Sequence, residues 1–175
     1  MLIHKYSSKW IKDFEDIKKE IDNGLQRLHY TVEHIGSTSV PLLDAKPIID
    51  IDIIYYDDKE FHKIQSSLQH LGYYHNGNQG IEKREVFKRD NSSSNPVLDL
   101  ITHHLYVCPI DSKALERHIL TRNYLRKHNW ARIKYQRMKY ELAEKANQNK
   151  KAYAALKELY VNEFIDEIIH KEKQR

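Results

Sequence analysis

Cysteine is nearly absent from this chain of 175 residues, in which Cys108 is the single example. One cysteine excludes an internal disulfide framework and any zinc site built from several cysteines. Apolar runs are short as well, because none approaches the roughly 20 residues that span a bilayer. The first ten residues, MLIHKYSSKW, lack the apolar stretch of a secretion signal. We therefore expect a cytoplasmic protein with no membrane partner.

Length and hydropathy favour one folded unit. The chain is long enough for one full core and short for two. Its hydrophobic fraction is 40% and its mean hydropathy is −0.77, but the apolar residues recur periodically, which argues against disorder. We expect an α/β core over residues 1–110 and a helical part over residues 111–175 that packs on it.

Charge is distributed unevenly between these two parts. Residues 1–110 carry thirteen Lys and Arg against sixteen Asp and Glu, whereas residues 111–175 carry sixteen against nine. An acidic first part and a basic second part suggest an anionic partner held between them. The alternative is that long surface helices simply carry Lys and Arg.

The apolar pattern predicts a small mixed sheet followed by helices. Apolar residues at helical spacing predict a helix over residues 8–28. Strands are predicted at 31–35, 48–54, 86–88 and 98–107, with an exposed loop at 91–96 and a helix that starts at Asp57-Asp58 and stops near Gly72. From residue 111 the pattern is helical, with breaks near 129 and 147–149. The predicted class is α/β (α+β), two layers with a C-terminal helical extension.

The segment from 32 to 54, VEHIGSTSVPLLDAKPIIDIDII, carries the most chemistry. Gly36 permits a sharp turn that brings backbone N–H groups close to a ligand. Ser37 and Ser39 add donors that suit a phosphate. Asp50 and Asp52 alternate along a strand and share one face, where two carboxylates suit Mg²⁺ or Mn²⁺ with bound phosphate. That combination predicts phosphoryl or nucleotidyl transfer. The alternative is that the two aspartates lie on an exposed strand face and that the Gly-Ser turn is an ordinary one, without a functional role.

The same segment resembles a known family. EHIGSTSVPLLDAKPIIDI is similar to the signature of the GrpB family, which belongs to the nucleotidyltransferase-fold superfamily. THHLYV at 102–107, RNYLRKH at 122–128, the helix at 135–142 and Tyr153 with Lys157 resemble further family motifs in the same order. The resemblance covers nearly the whole chain. It implies a nucleotidyltransferase-like fold in which Gly36 and Ser37 hold a nucleoside triphosphate and Asp50 and Asp52 bind a divalent metal.

Three departures from the family pattern affect the prediction. Leu42 stands where the family usually has glycine, so the turn there is expected to differ. Tyr106 replaces a usual histidine. The segment NSSSNPVLDLI resembles an insertion and complicates the third acidic residue that active nucleotidyltransferases have on a later strand. Asp99 is the candidate for that third metal ligand, or else an ordinary acid at a strand edge.

Further candidates surround this site. If Asp99 and His103 share a strand, they share a face, which makes His103 a better ligand or acid–base candidate than His104. His103 and His34 have structural alternatives, and Lys46 is either a phosphate contact or a surface lysine. Arg84 could hold an anion from a facing strand. The basic helices offer four further phosphate contacts within family-like motifs: Arg122, Arg126, Lys139 and Lys157.

Three functions are compatible with these residues. The first is a metal-dependent nucleotidyltransferase that binds a nucleoside triphosphate and transfers a nucleotidyl group to an unknown small-molecule, RNA or protein acceptor. The second is a degenerate member of the same fold that binds nucleotide or a protein partner without turnover. The third is RNA binding by the basic helices, which would weaken steeply with salt.

Overall fold

A computed structural model describes residues 1–90 and 92–174, so Asn91 of the predicted loop and Arg175 of the predicted helical part lie outside it. Five strands form one mixed sheet in the order β1-β2-β5-β4-β3. They are β1 (Tyr30–Ile35), β2 (Ile49–Tyr55), β3 (Tyr73–His75), β4 (Glu85–Arg89) and β5 (His103–Pro109). Only β2 and β5 pair in parallel; the other neighbours are antiparallel. The predicted mixed sheet with flanking helices is confirmed.

Within the described residues, six α-helices cover the two faces of this sheet. They are α1 (Lys9–Gly24), α2 (Asp58–His70), α3 (Pro96–Leu100), α4 (Lys113–Lys127), α5 (Asn129–Lys145) and α6 (Lys150–Lys173). The first three pack on one face, where Ile49, Ile51 and Ile53 of β2 join their apolar side chains in a common core. The last three form the predicted C-terminal helical extension on the other side, with the predicted breaks between them. None of the helices that the structure describes combines the length and apolar character needed to cross a membrane.

The prediction of a strand over residues 98–107 is wrong for residues 98–102. Asn95 caps a short helix, because its side-chain oxygen accepts hydrogen bonds from the N–H groups of Val97 and Leu98, both at 3.1 Å. Pro96 occupies the first turn of that helix, where its missing N–H costs nothing. Residues 96–100 are therefore helical, and β5 begins only at His103.

The N-terminal segment and the C-terminal helices share a second apolar core. Leu2, Ile3, Val40 and Leu43 are buried among the side chains of α4, α5 and α6. Asp44 fixes this junction, since its carboxylate accepts hydrogen bonds from the Tyr140 hydroxyl at 2.7 Å and from the N–H of Tyr6 at 2.9 Å. These contacts attach the helical extension to the segment that joins β1 and β2.

Leu42 lies in that joining segment and has a left-handed backbone with φ of +64°. A leucine is strained in this conformation, which glycine adopts freely. The turn therefore keeps the backbone shape that a glycine would favour at this position, although the side chain departs from the family pattern.

Candidate functional site

A cleft of about 910 Å³ lies between the sheet and the C-terminal helices. Its roof is one stripe of α4, whose cleft-lining residues recur at helical spacing: Ala114, Arg117, His118, Thr121, Arg122 and Leu125. Residues of α5 and α6 and of the loop before β4 also line the cleft. The cleft is large enough to take a nucleotide-sized ligand.

Strand register places Asp50 and Asp52 on the sheet face that lies below the cleft. Asp50 lies opposite Ile35 of β1 and His104 of β5. Two residues farther along β2, Asp52 lies opposite Glu33 of β1 and Tyr106 of β5. Directly paired residues on one face of a sheet have neighbouring side chains; of these two rows, Asp50 lines the cleft, whereas Asp52 is buried and does not.

The Gly36 turn abuts Asp50. Gly36 has φ of +70°, and a Cβ built on it would lie 2.2 Å from Oδ2 of Asp50. Any larger residue would collide with that carboxylate, so glycine is required here both for its backbone and for its lack of a side chain. The predicted meeting of the Gly-Ser turn with a carboxylate of β2 is present in the structure.

The hydroxyl groups of the turn have different roles. Ser37 is partly exposed and lines the cleft. Ser39 is buried, and its hydroxyl donates to the carbonyl oxygen of Gly36 at 2.6 Å. Ser39 thus stabilises the turn, while the side chain of Ser37 can contact a ligand in the cleft.

His34 supports the turn from the opposite face of the sheet. Its Nε2 lies 3.0 Å from the hydroxyl oxygen of Thr38, which donates its proton to the carbonyl of Ile48 at 3.1 Å. Nε2 must therefore be the donor, and the ring stacks on Phe14 at 4.7 Å between centroids. Burial lowers the pKa of His34 to about 4. These contacts favour the structural alternative for His34.

Asp50 is paired with a histidine that the sequence analysis ranked second. Nδ1 of His104 donates to Oδ1 of Asp50 at 2.8 Å, and the carboxylate is partly exposed in the cleft. His104 therefore stands on β5 directly beside Asp50.

Asp52 is fully buried, with 0% of its surface exposed. Nδ1 of His118 donates to its Oδ2 at 2.8 Å, whereas Oδ1 has no hydrogen-bond partner among the described residues. Burial raises the pKa of Asp52, and the hydrogen bond from His118 opposes that rise. The buried, unpaired oxygen is a polar group that a ligand or ion could satisfy.

Asp99 and His103 do not reach this cleft. Asp99 lies on α3, where its carboxylate accepts from Nε of Arg89 at 3.0 Å and from the N–H of Asn95 at 2.9 Å. His103 pairs with Ile49 on the other face, donates from Nδ1 to the carbonyl of Ile101 and accepts from the Tyr73 hydroxyl, each at 2.6 Å. The shared face predicted for this pair was wrong, because residue 99 is helical and the alternation of β5 does not extend back to it.

Three lysines and two buried tyrosines form the α5–α6 end of the cleft, which we call the lysine end: Lys46, Lys139, Lys157, Tyr135 and Tyr153. The Lys46 ammonium lies 4.2 Å from the centre of the Tyr153 ring, and that of Lys139 lies 4.9 Å from the Tyr135 ring. Burial and the positive charge of Lys157 lower the pKa of both Lys46 and Lys139. This end of the cleft thus holds several positive charges that repel one another.

The two predicted arginines of α4 mainly stabilise the backbone near the turn. Nη1 of Arg122 donates to Glu33 at 2.5 Å and to the carbonyl of His34 at 2.9 Å. Arg126 donates from Nε and Nη2 to the carbonyl of Ser39 at 3.0 and 2.7 Å. Of the two, only Arg122 lines the cleft.

Arg84 lines the cleft from the loop that precedes β4. Its guanidinium carbon stands 4.9 Å from the centre of the Tyr106 ring. Nε is buried and has no hydrogen-bond partner in the part of the chain that the structure describes. Arg84 lines the cleft but lies just before β4 rather than on a facing strand, and its predicted role as an anion contact stays a prediction.

Sequence reasoning missed His118 and Glu33 and ranked His104 below His103. His118 lies four residues before Arg122, on the same helical face, so the family-like motif at 122–128 already pointed to it. The correct start of β5 would have put His104 rather than His103 on the Asp50 face. Glu33 is visible only through the β1–β2 register, which one sequence does not specify.

Comparison with known proteins places the chain in a family. The profile of the family described as GrpB protein matches residues 1–171. The protein YqkA of Bacillus subtilis is 31% identical over 138 residues, which are 79% of this chain and 38% of YqkA. This chain therefore spans less than half of the length of YqkA. The glutamate-rich protein GrpB of Alkalihalophilus pseudofirmus is 27% identical over 169 residues, 96% of this chain and 95% of that protein.

Solved structures agree with this assignment. The crystal structure of conserved protein GrpB from Enterococcus faecalis has a TM-score of 0.78 and 29% identity, and the match covers 97% of this chain and 98% of that one. A structure of the Cid1 poly(U) polymerase has a TM-score of 0.58 at 14% identity, over 85% of this chain and 46% of that one. The second likeness establishes only the nucleotidyltransferase fold. With the family profile matching nearly every residue, this chain belongs to the GrpB family.

Proposed function

We propose that the cleft binds a nucleoside triphosphate together with a divalent cation, as the first step of nucleotidyl transfer to an acceptor still to be identified. The observation that carries this proposal is the contact between Gly36 and Asp50. The Gly36 backbone lies directly against the partly exposed carboxylate of Asp50. A Cβ built on Gly36 would lie 2.2 Å from Oδ2 of that carboxylate. The turn and the carboxylate therefore line the cleft side by side, where the N–H groups of the turn suit a phosphate and the carboxylate suits a divalent cation bound to that phosphate.

The carboxylates fit a Mg²⁺ or Mn²⁺ ion. Asp50 lines the cleft. Asp52 is fully buried and does not line it, but its Oδ1 has no hydrogen-bond partner among the described residues. No group of three or more His, Cys, Asp or Glu that could hold a metal occurs within residues 1–90 and 92–174. Mg²⁺ is usually held by one or two carboxylates, with substrate phosphates and water completing its shell, so two carboxylates suffice. Such a cation would neutralise phosphate charge and help to align the reacting oxygens.

The lysine end of the cleft would hold the rest of the polyphosphate. Burial and repulsion by Lys157 lower the pKa of Lys46, whereas Tyr135 chiefly raises the pKa of Lys157. Among the described residues, Asp50 is the carboxylate that acts on both lysines. A polyphosphate placed between them would relieve that repulsion through charge-assisted hydrogen bonds. Ser37 would contribute its hydroxyl from the turn.

The fold likeness supports the same ligand class. One of the similar structures is of a Cid1 poly(U) polymerase bound to MgATP. At 14% identity this likeness carries the fold only, and the nucleotide-binding role for this chain depends on its own Gly36, Asp50 and lysine residues.

Nucleotide binding without turnover is the second candidate. Active nucleotidyltransferases have a third acidic residue, and Asp99 is held by Arg89 away from the cleft. The position beside Asp50 on β5 is taken by His104. A cleft that retains the binding groups but not the third carboxylate would serve as a sensor or a folding partner.

RNA binding by the basic helices has less support. Several of their exposed charges are engaged with acids, as Arg117 is with Asp166 and Lys127 with Glu172. A cation that is already paired contributes less to a phosphate backbone.

The test compares two aspartate variants by calorimetric titration with MgATP, MgUTP, MgGTP and MgCTP. Asp50→Asn should weaken the best-bound nucleotide by roughly ten-fold or more, because it removes a charge at the cation. Asp99→Asn is the matched control and should leave the affinity unchanged. Equal affinities for wild type and Asp50→Asn, or no binding of any nucleotide to the wild type, would refute the proposal. Pyrophosphate release by the wild type would then separate transfer from binding without turnover.

A further inference from the structure

The Arg84 backbone lies away from the Gly36 turn across the sheet. The turn follows β1 at one edge, and Arg84 directly precedes β4. The strand order from β1 through β2 and β5 to β4 puts three strand spacings between their backbones, or about 14 Å. The Arg84 side chain extends to the Tyr106 ring of β5, so β2, which carries Asp50, still separates it from the turn that the proposed triphosphate would occupy.

Arg84 is poised to bind a ligand. The ring of Tyr106 supports one face of its guanidinium at 4.9 Å, which fixes the plane in which its donors lie. Its buried Nε has no partner among the residues described, and an unpaired buried donor destabilises a fold unless something satisfies it. The side chain lines the cleft, so a ligand in the cleft can reach it.

Charge balance with Asp52 does not fully account for Arg84. Arg84 contributes least among the groups that shift the pKa of Asp52, after burial, His118 and Asp50. The carboxylate of Asp52 already accepts from His118 at 2.8 Å, and no hydrogen bond joins its free oxygen to Arg84. The guanidinium is thus left with donors directed at neither carboxylate.

We infer that Arg84, supported by Tyr106, forms a second anion subsite that binds an oxyanion group of the acceptor, a phosphate or a carboxylate. The planar fork of arginine matches two oxygens of such a group. This inference rests on the proposed function, since it assigns the acceptor to the part of the cleft beside Arg84, which the proposed triphosphate at the Gly36 turn leaves free. It restricts the acceptor to a molecule that carries an oxyanion near the atom that reacts.

Phosphate alone is the probe, and the Nε–H signal of Arg84 in a ¹H–¹⁵N spectrum is the reporter. Arg84→Gln identifies the signal by its loss. In the wild type, inorganic phosphate should move this signal in a saturable titration, and acetate in a parallel titration shows whether a carboxylate is also accepted. Arg84→Gln should weaken phosphate binding, followed through backbone signals of the cleft, by roughly ten-fold or more. Lys88→Gln, which alters an exposed lysine on the strand that follows Arg84, is the matched control and should bind like the wild type.

A second titration, in saturating MgATP, separates the two subsites. If they are distinct, phosphate should move the Arg84 signal with nearly the same affinity as before. Loss of phosphate binding in MgATP would overturn the inference, because Arg84 would then belong to the triphosphate subsite. So would an Arg84 signal that neither phosphate nor acetate moves. If no nucleotide binds, the proposed function fails, but the first titration still decides whether Arg84 holds an oxyanion.

Discussion

The two faces of β2 come from one short run, IIDIDII, yet they are stabilised in different ways. On one face Ile49, Ile51 and Ile53 are almost completely buried against α1 and α2. On the other face Asp50 and Asp52 each depend on a single histidine, His104 of β5 and His118 of α4. The apolar face requires only matching volume, whereas the cleft face requires specific partners from distant parts of the chain.

This difference separates stability from function within one strand. Burial of apolar side chains is non-directional and scales with area. A buried carboxylate, by contrast, costs free energy unless it is hydrogen-bonded. Substitutions on the apolar face should therefore change the free energy of unfolding, and substitutions on the cleft face should change ligand binding.

The largest expected effect follows from truncation of the apolar face. Ile51 is fully buried, so Ile51→Ala should lower the free energy of unfolding by about 2–5 kcal/mol. Asp50→Asn, one residue away, loses a partly exposed pair and should cost about 1 kcal/mol or less. Urea unfolding measures both values, and calorimetry with MgATP shows which variant loses affinity. Equal losses of stability in the two variants would remove the distinction between the faces.

The apolar face was predictable from one sequence, and the cleft face only in part. Alternation alone identified the buried isoleucines and the shared side of Asp50 and Asp52, because strand periodicity is local. The position of Gly36 against Asp50 was also anticipated from the turn and the motif. The capping signal Asn95-Pro96 was present in the sequence but was read as loop and strand, which misplaced Asp99 and His103.

The histidine partners of Asp50 and Asp52 could not be predicted from local sequence patterns. Whether His103 or His104 faces Asp50 depends on where β5 begins, and a shift of one residue exchanges the two faces. The pair of His118 with Asp52 depends on how α4 crosses the sheet, which periodicity does not specify. The predicted roles of Lys46, Lys139 and Lys157 stay predictions, although the structure brings all three to one end of the cleft.

His34 lies on the apolar face, as does His103, whose pKa is also lowered by burial. The burial of His34 should make stability depend on pH. Burial lowers its pKa to about 4 from an ordinary value of 6.5. As pH falls below 6.5, His34 binds a proton in the unfolded chain but stays neutral in the folded one. This difference lowers stability between pH 6.5 and 4, and His34 causes no further loss below pH 4. The loss should reach roughly 3 kcal/mol at most.

The test of His34 compares urea unfolding at pH 7 and pH 4.5 in the wild type and in His34→Gln. The variant keeps a side-chain N–H for Thr38 but cannot titrate, so its stability should fall less between the two pH values. His62→Gln, which alters an exposed histidine, should retain the wild-type dependence. A His34→Gln variant with the same pH dependence as the wild type would contradict the buried, neutral state.

The smallest expected effect concerns Leu42, in the segment that carries β1 to the cleft face of β2. Its φ of +64° costs a leucine about 1–2 kcal/mol, while its side chain is 65% exposed and contributes little packing. Leu42→Gly should therefore stabilise the protein by about 0.5–1 kcal/mol, after the entropy cost of glycine is subtracted. Leu159→Gly, at an exposed position inside α6, should instead destabilise it by about 1 kcal/mol. The same substitution thus has opposite expected signs, and thermal unfolding of both variants measures them. If Leu42→Gly also lowers stability, the left-handed turn costs the leucine nothing, and the cleft face carries no strain in its supporting segment.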